Sequence, residues 1–131
     1  KGAYEGKSKS IGLNIELPHE QSANPYLDEC LTFEHFFSRK VMLVKHASVC
    51  VYFPGGYGTA DELMEVLTLI QTQKMQPMPV VLYGVDYWRP LLSWFEKLAE
   101  DGYIGHQDLA LMKVVDSTDE IIQIIKKNAC H

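Results

Sequence analysis

Hydrophobic residues along this chain occur in two patterns. Stretches of strand length, either apolar throughout or alternating, lie at residues 10–17, 29–34, 49–53, 79–84 and 113–116. In most of the segments between them, apolar residues recur at spacings of three and four, which is typical of amphipathic helices. Because strands and helices alternate, the pattern predicts an α/β fold with a parallel sheet covered by helices on both faces.

Local signals predict where several helices begin. One helix is predicted over residues 36–47, and another begins at Thr59. A third is predicted to start near Pro90, because proline is tolerated in the first turn of a helix. Ser117 followed by Glu120 is a capping-box pattern, which predicts that a final helix begins there.

The segment between the strand at 49–53 and the helix at Thr59 has unusual backbone chemistry. It contains Pro54 and three glycines within four positions. Glycine lets backbone N–H groups approach an anion without a Cβ in the way, and the free N–H groups and dipole of a helix N-terminus favour negative charge. The segment therefore predicts a phosphate-binding site. The residues predicted to bind the phosphate are Gly55, Gly56, Gly58 and Thr59.

Two residues of this segment allow alternative interpretations. Thr59 either caps the helix or donates its hydroxyl to a phosphate oxygen. Tyr57 either shapes the ligand pocket or forms a solvent-facing tip of the turn.

Three acidic residues, Asp61, Glu62 and Glu65, follow the glycine turn. One interpretation is that acids in the first turn complement the helix dipole, with Glu62 placed three residues after a Thr59 cap. The alternative is that Glu62 and Glu65, which share a helix face, contact a sugar attached to the phosphate. Carboxylates that faced the phosphate itself would repel it.

These residues resemble the signature of a known family. Pro54-Gly55-Gly56-Tyr57-Gly58-Thr59 followed by Glu62 matches the PGGxGTxxE motif of the LONELY GUY (LOG) family, which is often labelled "possible lysine decarboxylase". The pair Arg39-Lys40 upstream resembles the second signature of that family, and the resemblance covers nearly the whole chain. It implies a Rossmann-like fold, a homodimer, and hydrolysis of the N-glycosidic bond of a nucleoside 5′-monophosphate such as a cytokinin nucleotide or AMP.

The resemblance and the chemistry of that bond together suggest roles for the residues. Glycosidic cleavage builds positive charge on the ribose, which a carboxylate stabilises, so Glu62 is predicted to be a catalytic carboxylate that stabilises this charge or holds the ribose hydroxyls. Arg39 is predicted to be catalytic as well, since a cation early in a helix needs an anion, either the substrate phosphate or Glu62. Lys40, Tyr57 and Glu65 are added to the predicted substrate-binding residues. No metal or cofactor is implied, and no lysine lies in a setting that favours pyridoxal phosphate.

Composition limits the remaining function classes. The chain has 131 residues, which predicts one domain spanning 1–131, and its net charge of −5 disfavours binding to nucleic acid. Cys30, Cys50 and Cys130 are widely spaced and odd in number, which argues against a disulfide framework or a zinc site. No signal peptide or apolar run of membrane-spanning length is apparent, so we predict a cytoplasmic location without a membrane partner.

The first residues suggest that the sequence is a fragment of a longer protein. It begins without Met, and residues 1–6 look like the end of a helix that stops at glycine. The resemblance implies that strand–helix units precede this point. Two other functions stay open: a non-catalytic carrier of a nucleotide or of molybdenum cofactor, and, less favoured by the acidic charge, a single-strand-binding Rossmann-like domain.

Overall fold

The computed structural model describes residues 1–19 and 22–129, which form two compact units. The first unit extends to His46 and the second begins at Ala47. Both consist of parallel strands with helices, so the predicted α/β class is confirmed and the arrangement is consistent with a Rossmann-like fold.

The N-terminal unit contains two parallel strands and two helices. Its elements are α1 (Gly2–Glu5), β1 (Ile11–Ile15), β2 (Glu29–Phe33) and α2 (Phe36–Lys45). The register of the strands pairs Ile11 with Glu29 and Ile15 with Phe33. The start of this register is fixed by Asp28, whose carboxylate accepts hydrogen bonds from the Ser10 backbone N–H at 2.6 Å and the Ser10 hydroxyl at 2.9 Å. These bonds lower the pKa of Asp28.

The C-terminal unit alternates strands and helices along its whole length. Its elements are β3 (Cys50–Tyr52), α3 (Tyr57–Gln71), β4 (Val80–Tyr83), α4 (Val85–Glu100), a 3-10 helix (His106–Leu111), β5 (Met112–Val115) and α5 (Thr118–Ala129). The three strands pair in parallel in the order β3-β4-β5. No helix among the described residues is both long enough and apolar enough to cross a membrane.

Helices cover both faces of this three-stranded sheet. On one face, Val81 and Val115 pack with Ile121 of α5. Because successive strand residues point to opposite sides, Val80 and Leu82 face the other way, and both are fully buried. The hydroxyl of Tyr52, which lies opposite Leu82 in the register, reaches the backbone of α3 on that face. The remaining buried residues of α3 and α4 are Leu63, Val66, Ile70, Trp88, Phe95 and Ala99.

Two helices begin earlier than the sequence predicted. Helix α3 starts at Tyr57 and not at Thr59. Helix α4 starts at Val85, so Pro90 is its sixth residue and not part of a first turn. The start of α4 depends on a tertiary contact, since the Val85 N–H donates to the Asp116 carboxylate at 2.7 Å after Gly84 has turned the chain with φ 101°.

The start of α5 is as predicted. The Glu120 N–H donates to the Ser117 hydroxyl, and the Glu120 carboxylate accepts from the Ser117 N–H, both at 3.3 Å. These reciprocal bonds are the two halves of a capping box, which satisfies donors that a helix N-terminus leaves without acceptors.

Candidate active site

The glycine turn connects β3 to α3 at the carboxyl edge of the three-stranded sheet. All four residues from Gly55 to Gly58 are exposed. Ligands in open α/β sheets bind at this edge, outside the carboxyl ends of the strands. The turn is therefore accessible at the place where the fold class favours a site.

The three glycines of the turn have different surroundings. A Cβ added at Gly55 would lie 2.1 Å from Oγ1 and 2.9 Å from Cβ of Thr59, so packing against Thr59 requires glycine there. A Cβ added at Gly56 or Gly58 would meet no atom within 4 Å. Among the described glycines, only Gly84 and Gly102 have positive φ, so backbone conformation does not require glycine at Gly56 or Gly58. Intramolecular sterics thus explain Gly55, while the space beside Gly56 and Gly58 is open to a ligand.

The first turn of α3 differs from the predicted capping arrangement. Gly56 is the N-cap, the first helical bond runs from the Ala60 N–H to the Gly56 carbonyl at 3.1 Å, and no side chain caps the helix. Thr59 is the third helical residue, so its interpretation as the cap is wrong. The first turn holds no acidic residue, and Glu62 lies in the second turn. Since the helix dipole acts mainly within the first turn, dipole compensation does not account for Glu62.

The side chains of Glu62 and Glu65 lie partly buried above Tyr52. The Tyr52 hydroxyl donates to the Glu62 backbone carbonyl at 3.2 Å, and Oε2 of Glu62 is buried. Burial raises the pKa of Tyr52 far above its ordinary value, and Cys50 and the two carboxylates raise it further. Tyr52 is therefore a neutral hydrogen-bond donor that fixes the helical turn carrying Glu62.

Cys50 lies beside Tyr52 on the same face of β3. Burial raises the pKa of its thiol, and the hydrogen bond with Tyr52 opposes this shift. Cys30 and Cys50 are free cysteines, while Cys130 lies outside the described residues. Within residues 1–19 and 22–129, no group of three or more His, Cys, Asp or Glu side chains is arranged to hold a metal ion.

A tyrosine that the sequence analysis did not single out contacts the glycine turn. The hydroxyl of Tyr87, in the first turn of α4, donates to the carbonyl of Gly55. Gly84, just before that helix, also lies against the turn, because a Cβ there would be 3.6 Å from Cγ of Pro54. The only hint in the sequence was the position of Tyr87, three residues after the end of the strand predicted at 79–84.

The structure gathers seven of the predicted site residues in one segment of the C-terminal unit. These are Gly55, Gly56, Tyr57, Gly58, Thr59, Glu62 and Glu65. Tyr57 is 97% exposed, as expected for the solvent-facing alternative. Arg39 and Lys40 belong to α2 of the N-terminal unit and are partly buried. The Arg39 Nε donates to the Leu13 carbonyl of β1 at 2.8 Å.

A separate cavity of about 120 Å³ lies between α3, α4 and the 3-10 helix. It is lined mainly by apolar side chains, including Met64, Leu67 and Trp94. None of the predicted site residues lines it. The site chemistry described above is therefore on the exposed edge and not in this cavity.

Comparison with known proteins agrees with the motif and the fold. The family described as "possible lysine decarboxylase" matches residues 1–125. The chain belongs to that family. Despite its label, the possible lysine decarboxylase family includes the phosphoribohydrolases to which this chain is similar, so the resemblance noted in the sequence is confirmed.

Several named relatives of this family are similar over most of the chain. Cytokinin riboside 5′-monophosphate phosphoribohydrolase LOG3 of Arabidopsis thaliana is 35% identical, covering 100% of this chain and 62% of its own length. LOG4 of the same plant is 33% identical with the same coverage. The cytokinin riboside 5′-monophosphate phosphoribohydrolase of Mycobacterium marinum is 31% identical over 82% of this chain and 57% of its own length. The chain thus spans about three-fifths of the length of these relatives.

Proposed function

We propose that this protein hydrolyses the N-glycosidic bond of a nucleoside 5′-monophosphate, either a cytokinin riboside monophosphate or an AMP-like nucleotide, to free base and ribose 5-phosphate. The observation that carries this proposal is the exposed glycine turn at the start of α3, followed one helical turn later by two partly buried carboxylates. The relatives named above are phosphoribohydrolases by name. The substrate in this proposal has a phosphate for the turn and a pentose for the acids.

The turn binds the 5′-phosphate through backbone N–H groups. The N–H groups of the first helical turn have no acceptor within a helix and point out of its N-terminus. The open volume beside Gly56 and Gly58 gives phosphoryl oxygens access to them. Thr59 contributes its hydroxyl, and Tyr57 borders the bound nucleotide. A backbone site of this kind holds phosphate without a metal or cofactor.

The acids of α3 act on the ribose. Water adds its oxygen to the anomeric carbon while the carbon–nitrogen bond breaks, and the electron pair of that bond leaves with the base. One proton of the water is released as the bond to carbon forms, and the departing base takes up a proton at nitrogen. Glu62 stabilises the positive charge on the ribose or holds its hydroxyls, and Glu65 supports the ribose or orients the water.

Arg39 and Lys40 enter the proposal through the family signature. Arg39 pairs with the phosphate or assists departure of the base, and Lys40 contributes to substrate binding. A guanidinium suits both tasks because it is a planar cation that presents several donors.

We also propose a homodimer in the cytoplasm as the working form. Helix α2 carries large apolar side chains at the surface, among them Phe36 at 54% exposure, Phe37 at 69% and Val41 at 54%. Apolar exposure of this kind on one helix favours association with a second chain. The free Cys30 and Cys50 fit a reducing compartment. No nucleic acid or membrane partner belongs to this proposal.

The experiment is incubation of the native protein with a panel of nucleoside monophosphates, reading the free base by chromatography. Glu62→Gln, which keeps the shape of the side chain, is expected to lower kcat by about 100-fold or more, and Arg39→Ala is expected to lower kcat/KM. Asp61→Asn is the control, since it removes a charge from an exposed neighbour in the same helical turn. Full activity in both Glu62→Gln and Arg39→Ala would refute these roles, and binding without release of base would indicate a carrier.

A further inference from the structure

The glycine turn contains a peptide whose orientation decides what it offers to an anion. Gly55 and Gly56 are adjacent, and glycine has the widest choice of backbone conformations. The peptide between them is trans, as are all peptide bonds of the described residues. In a trans peptide the carbonyl and the following N–H point in opposite directions. The direction of the Gly55 carbonyl therefore sets the direction of the Gly56 N–H.

Tyr87 holds that carbonyl. Its hydroxyl donates to the Gly55 oxygen across 32 positions of sequence. The ring is itself fixed, because it packs edge-on against Trp88 with centroids 4.9 Å apart. Trp88 is 3% exposed, and its indole N–H donates to the Tyr83 carbonyl at 3.1 Å. The hydroxyl is thus held in place by the end of the sheet and the start of α4.

We propose that Tyr87 is a positioning residue for phosphate binding, because its hydroxyl keeps the Gly55–Gly56 peptide in the orientation that presents the Gly56 N–H to a phosphoryl oxygen. A rotated peptide would present the carbonyl oxygen of Gly55, which repels an anion. This inference rests on the proposed binding of phosphate at the turn. It assigns the specificity for the 5′-phosphate partly to a side chain outside the glycine motif.

The packing around the turn supports a role beyond simple stability. Tyr87 is 48% exposed, so its ring contributes less burial to the core than that of Trp88. A Cβ added at Gly56 would meet no atom within 4 Å, so no packing contact on that side fixes the backbone of Gly56. The hydroxyl therefore restrains a peptide that the glycines alone would leave free to rotate.

The test compares Tyr87→Phe with the native protein in two assays. Phenylalanine keeps the ring and its contact with Trp88 and removes only the hydroxyl. We expect the dissociation constant for ribose 5-phosphate, measured by calorimetry, to rise about tenfold, the effect of losing one hydrogen bond to a charged ligand. We expect KM for the nucleoside monophosphate to rise by a similar factor with kcat changed less than about twofold. Tyr103→Phe, at a tyrosine that is 77% exposed, is the control and should change neither.

A second substrate separates positioning from a general structural loss. The matching nucleoside lacks the phosphate, so Tyr87→Phe should lower kcat/KM for the monophosphate about tenfold more than kcat/KM for the nucleoside, whereas a damaged fold would lower both activities alike. Equal losses on the two substrates, or unchanged affinity for ribose 5-phosphate, would overturn the inference. Ribose 5-phosphate binding also separates a failure of the Tyr87 inference from a failure of the proposed hydrolysis. If the native protein binds this ligand but releases no base, hydrolysis is contradicted. The calorimetric comparison of Tyr87→Phe with the native protein then still decides the role of Tyr87.

Discussion

Replacement of Gly58 by alanine should separate stability from ligand binding. Gly58 is the second residue of α3, and a Cβ there meets no atom within 4 Å. Alanine restricts the unfolded chain and favours a helix, so Gly58→Ala should raise the free energy of unfolding by about 0.5 kcal/mol, up to ~1 kcal/mol. For a chain of this size, that corresponds to an increase in Tm of about 2–4 °C.

The same methyl should weaken phosphate binding. The Cα–Cβ bond of a helical residue tilts toward the helix N-terminus, so the methyl of Gly58→Ala would enter the volume assigned to the phosphate. Loss of one hydrogen bond to a charged ligand costs about 1.5–3 kcal/mol, which is a factor of about 10 to 100 in affinity. Ribose 5-phosphate affinity is measured by calorimetry, and stability by thermal and urea unfolding followed by circular dichroism.

Gly55→Ala is the paired variant, and it is expected to lower the free energy of unfolding where Gly58→Ala raises it. Its added Cβ would lie 2.9 Å from Cβ of Thr59, an atom that side-chain rotation cannot move away. Overpacking of this kind costs about 1–3 kcal/mol. If Gly58→Ala gains stability yet binds ribose 5-phosphate with native affinity, the turn does not hold the phosphate and the reasoning from open space is refuted.

Three further predictions concern the frame around the site. The raised pKa of Tyr52 means that its stabilising contribution is complete below about pH 10 and is lost as the pH rises above that value. Tyr52→Phe should therefore reduce the fall of the free energy of urea unfolding with pH above about pH 10. The same fall in the variant and the native protein would contradict the raised pKa of Tyr52. Glu120→Ala removes half of the capping box with Ser117 and should lower the unfolding free energy by about 1 kcal/mol, whereas no change would show that the box is dispensable. Gly84→Ala places a side chain at φ 101° and should cost at least about 1 kcal/mol in thermal unfolding; native stability would mean that the turn tolerates a Cβ.

Much of the fold followed from local patterns. The apolar strand at 49–53, the glycines after it and the helix beyond them were predicted because each depends on residues adjacent in sequence. The capping box at Ser117 was predicted for the same reason, since both partners lie within one helical turn. The motif also identified the family, because the spacing of the glycines and Glu62 is itself a property of the sequence.

The errors lay at the starts of two helices, and a distant residue explains one of them. The start of α4 moved to Val85 because Asp116, 31 residues later, accepts its N–H. The start of α3 moved to Tyr57, which removed Glu62 from the first turn and with it the explanation by dipole and cap. Helix propensity depends on local sequence and does not include distant hydrogen-bond partners. The ends of helices are therefore predicted less well from sequence than their presence.

The sequence by itself determined the order of strands and helices, the family and the segment that carries the candidate chemistry. Only the tertiary structure decided that Tyr52 is buried beneath the acids and that Tyr87 holds the Gly55 carbonyl. The physical reason is that parallel strands bring their carboxyl ends to one edge, and the side chains that meet there come from segments far apart in the chain. Which of them are in contact depends on strand order and register, and these follow from packing of the whole sheet.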